Sequence, residues 1–188
     1  MKINRRTSLR AVALAVGRAL ADHGIRAVLT GGACASIHSD GSYISEDIDF
    51  VLEGRVRPAD LDEAMSGLGY VRETNRYVHP HSRFWVEFPR GPLGVGSDLK
   101  ITPVRLGSGE AVLALSATDS CRDRLAGFYH WNDRQSLEVA VKIAARNDVD
   151  LSRIRRWSVS EGHEARFEEF ERRLARRSST RAVRPRAR

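Results

Sequence analysis

The chain has 188 residues, 41% of them hydrophobic and 29% charged, enough apolar material for one domain to bury its own core, and this excludes wholesale disorder. No apolar run approaches the roughly 20 residues that cross a bilayer, and Cys34 and Cys121 supply neither a disulfide framework nor a cysteine zinc site. The formal net charge of +7 is carried by the end of the chain: Glu171 to Arg188 holds eight arginines and one acid, so residues 1–170 are neutral overall.

Lys2, Arg5 and Arg6 precede the apolar stretch AVALAV, which has the outline of a signal peptide. Arg10 and Arg18 interrupt it, however, and the spacing of Leu9, Val12, Ala13, Val16 and Leu20 marks one face of a helix ended by Gly24. A cytoplasmic location with no membrane partner is expected. IRAVLT then predicts a buried strand, Gly31-Gly32 a turn, and ACASIHS a short helix. After the turn at Asp40-Gly41, YISEDIDFVLE alternates around Ile44, Ile48 and Phe50 as a second strand. Pro58 opens a helix that Gly69 ends. Residues 70–78 predict a weak strand and FWVEF, 84–88, a strong one. RGPLGVGS is a loop, and LKITPVRL and AVLAL are two further strands turning at Gly107-Ser108-Gly109.

From Ser116 onward helices replace strands. Thr118 is expected to cap a helix with Cys121, Leu125 and Phe128 on its apolar face. Asp133 caps a second, with Leu137, Ala140, Val141 and Ala144. Asp150 caps a third, with Leu151, Ile154 and Trp157, and a fourth starts near Glu161 and uses Phe167, Phe170 and Leu174. The predicted fold class is α/β (α+β): a mixed sheet with flanking helices over residues 1–115, a helical region over 116–177 packed on it, and a basic tail over 178–188 without fixed structure.

The chemistry is concentrated at Asp47-Ile48-Asp49. In a strand, positions i and i+2 share a face, so both carboxylates project together while Ile48 points into the core. Such a pair persists most readily around a divalent cation, and hard oxygen ligands suit Mg²⁺ or Mn²⁺. An isolated Asp-x-Asp on a solvent-facing strand is common, so the surroundings decide. Upstream, a strand runs into Gly31-Gly32 and a helix, where backbone amides can approach a phosphate. Downstream, Glu87 lies inside FWVEF on the same face as Trp85, and an acid there is costly unless exposed or paired. A third carboxylate beside the first two would serve as a metal ligand or as the base for an attacking hydroxyl.

In this order of parts (strand, Gly-Gly, helix, Asp-Ile-Asp strand, single acid) the chain resembles the nucleotidyltransferase superfamily that shares its fold with DNA polymerase beta. Within it, the likeness is greatest to AbiE-type toxin nucleotidyltransferases and their minimal bacterial relatives, and LSATDSCRDRLAGFYHWNDRQSLEVAV resembles the helical half of such proteins. The resemblance spans roughly residues 25–160. It implies transfer of a nucleoside monophosphate from an NTP to an acceptor hydroxyl, with Asp47 and Asp49 binding Mg²⁺ or Mn²⁺, Glu87 completing the metal site, and Gly31 and Gly32 admitting the phosphates. Arg124 stands where relatives often carry a phosphate-holding lysine, with Asp133 as a later acid. Three departures accompany the match: Gly31-Gly32-Ala33 replaces the common Gly-Ser, arginine replaces lysine, and Glu87 replaces the usual aspartate. As acceptor, the resemblance and the basic tail suggest an RNA end such as that of tRNA, with a cognate antitoxin as a further partner. A small molecule such as an antibiotic, or a protein side chain, is the alternative. A non-catalytic module that binds nucleic acid or a partner on the same fold is the rival of another class.

The remaining polar residues receive plainer assignments. Asp119 and Asp123 share a helix face that reads as solvated, with a place in the lining of the cleft as the alternative. Asp133 reads as an N-cap with a catalytic group as the alternative, His79-Pro80-His81 as a loop with a metal role as the alternative, and Lys100 as a surface lysine with a triphosphate contact as the alternative. Phe128 to Trp131 predict a packed aromatic corner, with base stacking as the alternative. The arginine tail suits a polyanion or serves only for solubility.

Overall fold

Val28, Leu29, Ile48, Phe50 and Val86 are fully buried or nearly so, and they lie on the three strands at the middle of a seven-stranded mixed sheet. A computed structural model of the chain describes residues 2–106 and 112–182, with 178–182 as backbone only. The sheet is built from β1 (Ala27–Thr30), β2 (Asp47–Leu52), β3 (Val71–Glu73), β4 (Arg76–Val78), β5 (Trp85–Glu87), β6 (Val104–Arg105) and β7 (Leu113–Ala114), in the order β3-β4-β5-β2-β1-β7-β6. The β2–β5 and β1–β7 pairs are parallel and the others antiparallel. Interleaved with the strands are α1 (Leu9–Asp22), α2 (Gly31–His38) and α3 (Pro58–Ser66). The second half is helical: α4 (Ala117–Trp131), α5 (Arg134–Ala144), α6 (Leu151–Ser160) and α7 (Glu164–Ala182). Helix α4 packs on α5 and α2, which joins the helical half to the sheet.

The first helix forms as its spacing predicts: Leu9, Val12, Ala13, Val16 and Leu20 are buried, Ser8 caps the N-terminus, and Gly24 follows the end at φ +69°. Several boundaries differ from expectation. The second strand begins only at Asp47, and Ile44 is 65% exposed, because residues 39–46 form turns rather than an extended ladder. The weak strand at 70–78 is a hairpin, β3 and β4, turning at Thr74 in the left-handed region (φ 54°). LKITPVRL pairs only at Val104–Arg105. Its earlier residues Leu99 and Lys100 are exposed and Pro103 has no N–H to give a ladder. The turn expected at Gly107-Ser108-Gly109 lies outside the described residues.

Helix α4 is capped by Ser116, not Thr118: the Ser116 hydroxyl accepts from Asp119 N at 3.0 Å, while Thr118 Oγ1 accepts from Asp150 N at 3.1 Å and ties α6 to α4. Asp133 and Asp150 cap α5 and α6 as expected. Helix α7 buries Phe167 and Phe170 and continues to Ala182, beyond the boundary expected near Arg177. Glu168–Arg172 and Glu169–Arg173 pairs four residues apart support this helix. Residues 183–188 of the expected tail lie outside the described residues. Among the described residues no helix is long and apolar enough to cross a membrane.

Candidate active site

The register of three strands assembles the acids. Strand β2 pairs with β5 so that Asp47 stands opposite Trp85, Ile48 opposite Val86, and Asp49 opposite Glu87. Ile48 and Val86 fill the core on one face; Asp47, Asp49 and Glu87 therefore share the other. The pairing continues outward, with Arg76 on β4 opposite Glu87 and Thr30 on β1 opposite Asp49. A row Arg76, Glu87, Asp49, Thr30 thus crosses the sheet, with Asp47 beside Asp49 on β2.

Each carboxylate has a distinct environment. Asp47 accepts a short hydrogen bond from the Ser45 hydroxyl. Glu87 accepts from the Trp85 indole Nε1 at 3.0 Å, which answers the cost of placing an acid within this strand. Asp49 is half-buried, and its pKa is pushed up to about 7 by burial first, then by the charges of Asp47, Glu87 and Asp123, against a smaller opposing pull from Arg124. Acids surround acids here, and the nearby cation does not balance them.

Gly31 closes one side of the cluster. It adopts φ +60°, and a Cβ at this position would collide with the Asp49 carboxylate. At Gly32 a Cβ would collide with the Ser45 hydroxyl. The two glycines are therefore required by the close approach of the acid strand and its preceding turn, and they form the first turn of α2, two residues earlier than predicted. Arg124 pairs with Asp123 at 2.6 Å, and the charges of both reach Asp49. The structure thus gathers Gly31, Gly32, Asp47, Asp49, Glu87 and Arg124 at one place. Asp133 lies at the start of α5, its carboxylate accepting from Gln135 N and the Ser136 hydroxyl, with its pKa lowered mainly by the Ser136 hydrogen bond.

Sequence reasoning misjudged three features. Asp123 belongs to the electrostatic surroundings of the acids, nearer to the cleft alternative than to the favoured solvated face. Asp119, on the same supposed face, is only 1% exposed and pairs with Arg122 at 2.7 Å and Arg153 at 2.9 Å. Four residues along a helix do share a face, but here that face turns inward. The third feature is Arg76, whose guanidinium lies 5.3 Å from the Trp85 ring centre at the margin of the acid row. Its position follows from the β4–β5 register, which the single weak strand predicted for residues 70–78 does not contain.

The expected aromatic corner splits. Phe128 and Tyr129 are buried, the Tyr129 hydroxyl 2.8 Å from Ser158 Oγ. Trp131 is 76% exposed, because the next residues of α4 rotate off the buried arc before the helix ends at Asn132 in the left-handed region. His79 packs its ring beside Tyr70 at 5.1 Å.

The donor set has the chemistry of a hard-cation site. Asp47 and Asp49 offer carboxylate oxygens on one face, and the pKa of Asp49 is raised by burial first and by the neighbouring acids second, a cost that a divalent ion would offset. Among the described residues, no three His, Cys, Asp or Glu side chains stand grouped closely enough to hold a metal ion together. Within the cluster, Glu87 is directed to Trp85 and Asp47 to Ser45.

No family model matches the sequence. No curated protein matches it either. Among solved structures the chain is similar to an antigenic nucleotidyltransferase-like protein from Paracoccidioides brasiliensis, with 19% identity, a TM-score of 0.51, and coverage of 74% of this chain and 77% of that chain. It is also similar to the antibiotic-resistance factor ANT(2'')-Ia, with 13% identity, a TM-score of 0.48, and coverage of 91% of this chain and 98% of that one. The first of these shows the fold: the mixed sheet with its helical second half is nucleotidyltransferase-like.

Proposed function

We propose that the chain is a divalent-metal-dependent nucleotidyltransferase that moves a nucleoside monophosphate from an NTP to an acceptor hydroxyl. The observation that carries this reading is the β2–β5 register, which sets Glu87 directly across from Asp49 on the face that also bears Asp47. Asp47 and Asp49 would hold Mg²⁺ or Mn²⁺ with Glu87 beside them. Such an ion, when bound, neutralises triphosphate charge and eases ionisation of a hydroxyl. The chain's own residues supply the rest. Arg124 is a fixed cation at the edge of the acids and suits the triphosphate oxygens. Gly31 and Gly32 bring the N-terminus of α2 against the acid strand, where its positive end would favour them. Glu87 takes the acceptor's proton as its oxygen bonds to the α-phosphorus. The bond from that phosphorus to the bridging oxygen breaks, and pyrophosphate leaves with the electron pair.

For the acceptor we favour an RNA end, with tRNA tested first because of the resemblance to AbiE-type toxins; a cognate antitoxin would then be a partner. The supporting observation is a groove of ≈540 Å³ between α5 and α7 lined by Arg172, Arg173, Arg176 and Arg177 against the two acids Glu138 and Glu169, which both pair with Arg173. Antibiotic hydroxyls and protein side chains are the competing acceptors. The test is incubation of the chain with each α-labelled NTP and Mg²⁺, in parallel with total RNA, an aminoglycoside panel and a protein extract. Label is expected on RNA, dependent on Asp47 and Asp49. Label on the other acceptors would replace the RNA assignment. Tight RNA binding with no transfer from any NTP would replace the enzyme by a non-catalytic module.

A further inference from the structure

A cleft of ≈380 Å³ opens beside the acids, lined by residues that include Gly94, Gly96, Arg124, His130, Trp131 and Asp133. Asp123 and Arg124 of α4 stand in its wall, and the charges of both act on Asp49. Its volume lies near the lower end for ligand pockets, room for a base and its sugar and not for a folded macromolecule.

Two parts of the lining are built differently. The Gly94–Asp98 segment is fixed. Glu161 accepts from the Ser97 backbone N–H at 2.8 Å and from its hydroxyl at 2.6 Å, Asp98 pairs with the buried Arg122 at 2.7 Å, and Val95 and Asp98 bridge to each other. Gly96, at φ +58°, lies so close to Glu161 that a Cβ would stand 2.7 Å from Oε1. Trp131, in the same lining, is a large apolar ring left 76% exposed. His130 beside it is held 3.7 Å from Glu161 and 5.2 Å from the His163 ring centre. An exposed indole next to a preformed cleft gains free energy by stacking on a flat π-system, and every nucleobase provides one.

We propose that this cleft is the nucleoside subsite, in which the base of the NTP stacks on Trp131 while its phosphates run past Arg124 to the acid face. The assignment rests on the nucleotidyltransferase reading and adds to it where the donor's base lies. Because stacking accepts any base, discrimination among the four NTPs through Trp131 is weak.

The test measures equilibrium binding of ATP, GTP, CTP, UTP and inorganic tripolyphosphate, each with Mg²⁺, to the wild type, Trp131→Ala and Trp131→Phe. Tripolyphosphate carries the phosphates without a base. Trp131→Ala is expected to weaken NTP binding about tenfold and to leave tripolyphosphate binding unchanged, while Trp131→Phe stays within about threefold of wild type. The exposed position leaves the folding of either variant undisturbed, and an unchanged thermal midpoint checks it. Equal NTP affinity in wild type and Trp131→Ala overturns the subsite, as does an equal loss for tripolyphosphate. If Trp131→Ala instead raises the KM for the acceptor alone, the cleft belongs to the acceptor and the proposal fails while nucleotidyl transfer stands. If neither NTP nor tripolyphosphate binds wild type, both readings fall together.

Discussion

Two groups of charged residues lie close to each other in this molecule and are balanced in opposite ways. In the helical half, Asp119 and Arg122 are each 1% exposed, yet Asp119 meets Arg122 and Arg153, and Arg122 meets Asp119 and Asp98. The Arg122 guanidinium also lies 4.9 Å from the Trp157 ring centre. Every charge there has a partner of opposite sign, and the network fastens α4, α6 and the 94–98 loop together. On the sheet face, Asp47, Asp49 and Glu87 lie together with Asp123 nearby, and Arg124 is already paired with Asp123. Paired buried ions hold a structure, whereas a like-charged group kept together by a sheet register is stable only at a cost, one that a cation would relieve under the proposed function.

The contrast is broken most severely by removing the acids. Asp47→Asn combined with Asp49→Asn is expected to lower nucleotidyl transfer at least about a thousandfold, equivalent to about 4 kcal/mol of barrier, with the fold intact by circular dichroism. Full activity in the double variant would make the acid face ordinary surface. Removing Arg122 should do the reverse. Arg122→Met leaves Asp119 and Asp98 short of a partner, and urea unfolding should show a loss of about 3–4 kcal/mol. A loss below about 1 kcal/mol would mean that the helical network does not hold the structure.

Asp49 sharpens the comparison through pH. Its carboxyl titrates near 7 in the folded chain and near 4 in the unfolded one. A raised carboxyl pKa contributes fully below the unfolded value, and that contribution is lost as pH rises through 7. Asp49→Asn should therefore match wild type in stability near pH 4 and exceed it at pH 8 by about 2 kcal/mol, a figure reduced from the full shift because the group is partly solvated. A pH-independent difference in urea midpoints would show that neither burial nor the neighbouring acids raise the Asp49 carboxyl.

Much of this arrangement is legible in the order of residues alone. The period-2 placement of Asp47 and Asp49 around Ile48 fixes which side each faces, and Glu87 within FWVEF marks the neighbouring acid strand. What the sequence conceals is cross-strand register and helix rotation. The opposition of Arg76 to Glu87 depends on a hairpin at Thr74, and a local reading merges its two arms into one strand. Asp119 and Asp123 look alike in a helical pattern, but one is interred with two arginines and the other borders Asp49. The loop GPLGVGS carries no recognisable motif, and only its anchoring by Glu161 and Arg122 makes it the wall of a cleft.

The smallest effect is expected from the end of the chain, remote in sequence from both charged groups. Deleting residues 178–188 removes Arg181, Arg184, Arg186 and Arg188. If RNA is the acceptor, the slope of log K against log salt should flatten by about 3 units at most, with both the Arg122 network and the acid face unaffected. An unchanged slope and affinity would confine any RNA contact to the retained groove of Arg172, Arg173, Arg176 and Arg177.

The central claim, that the sheet acids form an unbalanced cluster awaiting a cation, is met most directly by calorimetric titration of Mn²⁺ into wild type and the Asp47→Asn, Asp49→Asn double variant at pH 8 and pH 5.5. A cation competes with protons for a carboxylate that titrates near 7. The account predicts binding to wild type at pH 8, at least tenfold weaker binding at pH 5.5, and none to the double variant at either pH. Identical Mn²⁺ binding by wild type and double variant would contradict it.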